Sequence, residues 1–157
     1  MNPPGFDIFD VAWRLGAAVL VGMIIGLNRD LSNKPIGMRT LGLVSLGAAI
    51  VAVSTVHYGN LAEHPDALSR VVQGIIQGVM AGIGFIGAGV ILRDTKEKTV
   101  KGLTTAATVW VTAALGIACG LAAWQIVVLA VLFAVFLLVG VARIEQAFEK
   151  TDEGGYK

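Results

Sequence analysis

Two groups of side chains in this 157-residue chain have types and spacings that could do chemistry. The first is charged: Arg29 beside Asp30, Arg39 beside Thr40, Arg93 beside Asp94, with Lys101 a little further on. Cations and carboxylates in such neighbouring pairs can join into a salt-bridged collar, less screened than ion pairs on an open surface. They can also be plain anchors whose long side chains snorkel to an interface. The second group is uncharged. Thr104, Thr108 and Thr112 recur at i, i+4 and i+8 with Thr105 adjacent, and Gln73 and Gln77 form a similar i, i+4 pair. Threonine hydroxyls in a helix bond back to their own backbone or across to a neighbour, and glutamine amides cross-link helices. A ligand path along the threonines is the alternative.

Other chemistries lack their residues. There is no nucleophile beside a base, no phosphate loop with its lysine and no metalloprotease helix, so an enzyme is not expected. The lone cysteine, Cys119, permits no intrachain disulfide. His57 and His64 do not make a metal-ligand set, and neither a metal nor a cofactor is expected. None of the acidic residues lies in the middle of an apolar run, whereas a dehydrated divalent cation needs hard oxygen ligands, usually carboxylates. A hydrated Mg²⁺ passing along backbone carbonyls remains a possible transport chemistry.

The elements that must position these groups are hydrophobic ones. Apolar residues make up 55% of the chain and charged residues 15%, and mean hydropathy is +0.76, which excludes an ordinary water-soluble domain. The net charge of +1 gives no field that would draw nucleic acid. The apolar residues gather into five runs, Val11 to Leu27, Leu41 to Val56, Val71 to Leu92, Leu103 to Cys119 and Leu121 to Ala142. Each is close to the ~20 residues that cross a bilayer core, and none alternates as a barrel strand would. Backbone amides in lipid must be satisfied within the segment, so an all-α bundle of five transmembrane helices is expected.

Ten of the twelve basic residues fall in alternate connections: Arg29, Lys34 and Arg39; Arg93, Lys96, Lys98 and Lys101; Arg143, Lys150 and Lys157. The positive-inside rule then puts the N-terminus outside and the C-terminus in the cytoplasm, with Trp13, Tyr58 and Trp124 at the outer interface. The expected organisation is one transmembrane domain over 1–145 and a short cytoplasmic tail over 146–157, with no soluble domain after it.

Glycine, at 20 copies, is the other signal. Gly74, Gly78 and Gly82 recur every four residues, and Gly89 returns to nearly the same face, while Gly22 and Gly26 repeat the pattern in the first run. Such a groove lets a second backbone approach closely. The second backbone can belong to the same bundle, which is the leading expectation, or to another copy. The denser cluster Gly82, Gly84, Gly87 and Gly89 could instead mark a broken helix lining a site, as in transporters.

Three segments carry a family resemblance: Pro35-Ile36-Gly37-Met38-Arg39-Thr40; Gly82-Ile83-Gly84-Phe85-Ile86-Gly87-Ala88-Gly89-Val90-Ile91-Leu92-Arg93; and Val100-Lys101-Gly102-Leu103-Thr104-Thr105-Ala106-Ala107-Thr108-Val109-Trp110. With Ser69-Arg70 between the first two, the chain resembles the bacterial MgtC/SapB family from about Gly16 to Gly120. The resemblance implies a multi-pass inner-membrane protein linked to adaptation to magnesium limitation and, in intracellular pathogens, to virulence through survival inside macrophages. It implies a regulatory role in which other membrane proteins are bound, the F-type ATP synthase among them in a pathogen member. Two positions bear on the transfer. Relatives usually place a glutamate where this chain has Asn28, and Thr104 stands where they carry Asn or Thr. The leading expectation is a small regulatory membrane protein in contact with the bilayer and with other membrane proteins. A transporter or channel for Mg²⁺ or another solute comes second and a homo-oligomeric scaffold third.

Overall fold

In the computed structural model, residues 7–58, 65–94 and 99–144 are described. Helix α1 runs from Ile8 to Leu31. Its start is fixed by Asp7, whose Oδ1 accepts the Phe9 N–H at 2.9 Å, and Asp10 and Arg29 complement the helix dipole at its first and last turns. Helix α2 covers Met38–Tyr58 and α3 covers Pro65–Val90. Proline at the first position of α3 is pre-set for a helix and lacks an N–H that would have had no partner there. Strands β1 (Leu92–Asp94) and β2 (Thr99–Lys101) form a small antiparallel hairpin, with Leu92 opposite Lys101 and Asp94 opposite Thr99. Helix α4 is Leu103–Gly120. Helix α5 is Trp124–Val135 and continues through a π-helical turn, Phe136–Val141, to residue 144.

The five-helix architecture is therefore the expected one, and all five helices are long and apolar enough to cross a membrane. This is a multi-pass membrane protein. The first two helices borrow flanking residues, as short runs must to cross a bilayer. Three details differ from the sequence reading. The third helix also starts before its run, at Pro65 where the run begins at Val71. A hairpin was not expected between the third and fourth helices. The glycines from Gly82 to Gly89 do not break α3, which stays helical to Val90. The tail over 146–157 and the side chains of His57 and Tyr58 lie outside the described residues, as does His64.

Helix α4 is the axis of the bundle and touches each of the other four helices. In its span 56% of residues are buried, against 6% in the spans of α3 and α5. Helices α1 and α2 pack on α4 and on each other, α3 sits on the α2 side, and α5 on the α1 side. The core is made of small and branched residues: Ala18, Val21 and Ile25 of α1; Leu41, Ala48, Ala49 and Ala52 of α2; Val109, Ala113 and Cys119 of α4. At the Trp13 end, the rings of Trp13 and Trp124 lie 6.3 Å apart, centroid to centroid.

Apolar side chains gain nothing by leaving lipid for protein, so close backbone approach has to hold the helices together. Four glycines provide it. A Cβ at Gly22 would run into the Leu41 carbonyl and come within 2.8 Å of the Gly42 Cα; one at Gly26 would strike the Met38 backbone. At Gly116 it would come within 2.9 Å of the Ser45 Cα and carbonyl carbon, and at Gly120 within 2.8 Å of the Ala49 oxygen. By contrast, Gly74, Gly78, Gly82, Gly84 and Gly89 meet nothing within 4 Å, and Gly87 makes only an ordinary contact with Ala106 at 3.6 Å. The expectation that the Gly74, Gly78, Gly82 face packs inside the bundle is thus corrected. The groove exists, but it faces outward, because Val72, Ile75, Val79 and Ile83 occupy the inner side of α3.

Candidate functional site

The last turn of α1 carries Arg29 into the protein, where it is 4% exposed. Its Nη2 donates to the Pro35 carbonyl at 3.3 Å and to the Thr105 hydroxyl. Thr105 itself is 4% exposed, so Arg29 joins α1 to the start of α4 within the buried interior and to the α1–α2 loop at its edge. The Arg29 Nε is buried without a hydrogen-bond partner. Among the described residues no carboxylate pairs with Arg29. The charge is offset by its place at a helix C-terminus, where carbonyl dipoles favour a cation, and by the two oxygen acceptors.

The loop that Arg29 holds is strained. Asn33 and Ile36 have φ of 50° and 63°; asparagine tolerates the left-handed region, but a β-branched isoleucine is an outlier there. Two polar anchors fix it: Arg29 on Pro35, and Asp30, whose Oδ2 accepts the Met38 N–H at 3.0 Å. Met38 opens α2, so Asp30 satisfies an amide that the helix itself cannot. Gly37 is required beside it, since a Cβ there would occupy the space of the Asp30 carboxylate. Asp30→Ala should accordingly lower stability by about 1 kcal/mol, as lost helix caps do, while Arg39→Ala leaves it unchanged. Thermal melts of the two purified variants in one detergent would check this.

The expected collar is thereby redrawn. Arg39 and Thr40 are exposed, and Asp30 spends its carboxylate on a backbone amide of α2. Membrane depth brings Asp30 and Arg39 to one level, but Arg39, the second residue of α2, is exposed and no ion pair joins them. Arg93 and Asp94 take part in the hairpin through their backbones; their side chains lie outside the described residues, as do Lys96 and Lys98. A polar anchor that the sequence reading passed over lies at the opposite end. Arg14 pairs with Asp10 at 2.8 Å and donates from Nη1 to the Gly120 carbonyl at 3.0 Å, closing the end of α4. An acid four residues before an arginine near a helix start was the available signal.

The threonines divide by role. Thr108 and Thr112, both buried, donate to the Thr104 carbonyl at 2.7 Å and the Thr108 carbonyl at 2.8 Å, which is local back-bonding. Thr105 faces Arg29, and Thr104 is exposed. Gln73 and Gln77 are exposed on α3, on the side away from the bundle, and do not cross-link helices of this chain. Asn28 donates from Nδ2 to the Leu138 carbonyl at 3.4 Å, inside the π-helical turn of α5. Hence consecutive residues Asn28, Arg29 and Asp30 tie α1 to α5, to α4 and to α2.

The model of the MgtC family matches residues 15–147, which is most of the chain. The chain belongs to the MgtC family. It is 42% identical to Protein SrpB of Synechococcus elongatus over 91% of this chain and 81% of that protein. It is 38% identical to Protein SapB of Bacillus subtilis, over 71% of this chain and 47% of SapB. With Protein MgtC of Salmonella typhimurium it shares 40% identity over 73% of this chain and 45% of MgtC. The chain thus spans about half the length of SapB and MgtC, and most of that of SrpB. No solved structure matches it. The region matched by the MgtC family model contains Arg29, Asp30 and Thr105 and the whole outward face of α3 from Arg70 onward.

Proposed function

We propose that this MgtC-family chain is a small regulatory protein of the bacterial inner membrane, without enzymatic activity, that acts by binding other membrane proteins during adaptation to low magnesium or stress. The observation that carries the reading is the outward face of α3. Exposed Gln73 and Gln77 stand among exposed Gly74, Gly78 and Gly84 in a helix long enough to cross the bilayer. A lipid-facing surface has no use for amides, each of which costs free energy in hydrocarbon unless bonded. A protein surface does. The tie to magnesium comes through the relative named MgtC, and the basic residues of alternate connections favour a cytoplasmic C-terminus.

Solute transport fits the interior less well. The buried hydroxyls of Thr108 and Thr112 are committed to their own helix. A shallow crevice between α2, α3 and α4, too tight to admit even a water molecule, is lined by Ala52, Thr55, Val72, Ile75, Ile76, Ile117 and Leu121, and Thr55 bonds back to Val51 at 3.0 Å. Nothing in that lining would replace the hydration shell of a cation. Purified protein in liposomes loaded with a Mg²⁺-sensitive dye should show no flux above that of empty liposomes under an imposed gradient. Saturable, protein-dependent uptake would make transport the better reading.

A further inference from the structure

Helices α3 and α5 are equally uncovered, with 6% of each span buried, yet their spans have mean hydropathies of 1.7 and 2.9. The α5 surface suits lipid. The outward face of α3 carries Asp66, Arg70, Gln73 and Gln77, spaced four, three and four residues apart and therefore in one line along the helix. All four are exposed, and none forms a hydrogen bond or ion pair within the chain among the described residues. Gln77 lies eight residues beyond Ser69, where the apolar span starts, or roughly 12 Å into it at 1.5 Å per residue.

We propose that this face is the contact of a two-fold symmetric dimer, in which α3 packs in parallel against α3 of a second copy. The proposal rests on the reading of a protein that acts through contacts within the bilayer, and it names the first of those contacts. Every copy enters the membrane in the same sense, so a two-fold axis must lie along the membrane normal and the two α3 helices run side by side in one direction. Each residue then meets its own counterpart or one a turn away. An amide is both donor and acceptor, so Gln73 opposite Gln73, and Gln77 opposite Gln77, satisfy each other. Asp66 and Arg70 have opposite signs one turn apart, which makes the charged end complementary to itself: each Arg70 meets the Asp66 of the second copy, twice by symmetry. Gly74 and Gly78 remove the side chains that would hold the helices too far apart for amide bonds. A foreign helix would need amides and charges at the same depths, whereas a second copy supplies them by symmetry.

The test uses the full chain in native membranes with Cys119 replaced by alanine. Single cysteines at Ala81 or Ala88, exposed residues on the same side of α3, should form disulfide-linked dimers under mild oxidation, a bond that requires the two Cα atoms to come within about 7 Å. Val128→Cys, exposed on α5, should not. Adding Gln73→Leu and Gln77→Leu to the Ala81→Cys chain should lower the cross-linked fraction about tenfold or more, because interhelical amide bonds are lost at two positions. Unchanged melting of the double leucine variant in detergent would show that the fold is kept. Absence of cross-linking at both alanines, or cross-linking indifferent to the leucines, overturns the dimer. If a chain that does not cross-link to itself still retains another membrane protein on purification, and loses it with the leucines, the dimer fails while the reading of partner contact stands. Loss of both overturns both.

Discussion

Gly116→Ala should destabilise the bundle by about 3 kcal/mol, at the upper end of what overpacking costs. The added methyl would lie within 2.9 Å of two Ser45 backbone atoms and closer still to the Ser45 carbonyl oxygen. Backbone cannot rotate away as a side-chain tip can, so α2 would have to move off α4. That shift would also reach the contact of Gly120 with Ala49 and Ala52, one turn along the same interface. Gly78→Ala provides the opposite case. Nothing lies within 4 Å of Gly78, so the substitution only exchanges a poor helix former for the best one, a gain of up to about 1 kcal/mol. Melting of the dilute proteins in a mild detergent, where single chains prevail, should therefore move in opposite directions. A Gly78→Ala loss as large as that of Gly116→Ala would mean that the outer face of α3 is covered within one chain.

The contrast between these two glycines marks what could be read from the residues. Five spans were legible because length and hydropathy along the chain are one-dimensional properties, and lipid forces such segments into helices. Azimuth was not. Gly74, Gly78 and Gly82 form the most regular small-residue stripe in the sequence, yet the interhelical contacts fall on Gly22, Gly26, Gly116 and Gly120. The side of α3 that meets the bundle is chosen by Val72, Ile75, Val79 and Ile83, and a stripe of glycine is equally consistent with either side. The charged rim was legible as a layer and misread as pairs for the same reason. Depth places Asp30 and Arg39 together, but only packing reveals that Asp30 reaches Met38 and that Arg29 turns inward to a threonine 76 residues away. The hairpin before α4 depends on a three-residue ladder too short to leave a pattern.

Arg29→Met separates the two ways in which the buried arginine can matter. Methionine keeps much of the volume and removes both the charge and the donors, leaving the buried Thr105 hydroxyl and the part-buried Pro35 carbonyl without their bonds. Hydrogen bonds from charged donors contribute about 1.5–3 kcal/mol each, against which stands the relief of no longer burying an unpaired cation. Because α1 ends at this site, the helix dipole has already met part of that burial cost, and the lost bonds should win. A net loss of about 2 kcal/mol is expected, with Arg29→Ala larger by the cavity it leaves. Arg29→Lys should not restore stability in full, since both bonds come from Nη2 at the far end of the guanidinium and the shorter, more strongly hydrated lysine ammonium has to be brought to that buried point. Thr105→Val in the Arg29→Met background should add almost nothing, whereas alone it leaves a buried guanidinium short of an acceptor. The coupling between the two positions should be about 1–2 kcal/mol, within the range for residues in direct contact. Additive losses would show that α1 and α4 are held together at this end by packing alone, with the Arg29–Thr105 bond contributing nothing to the connection.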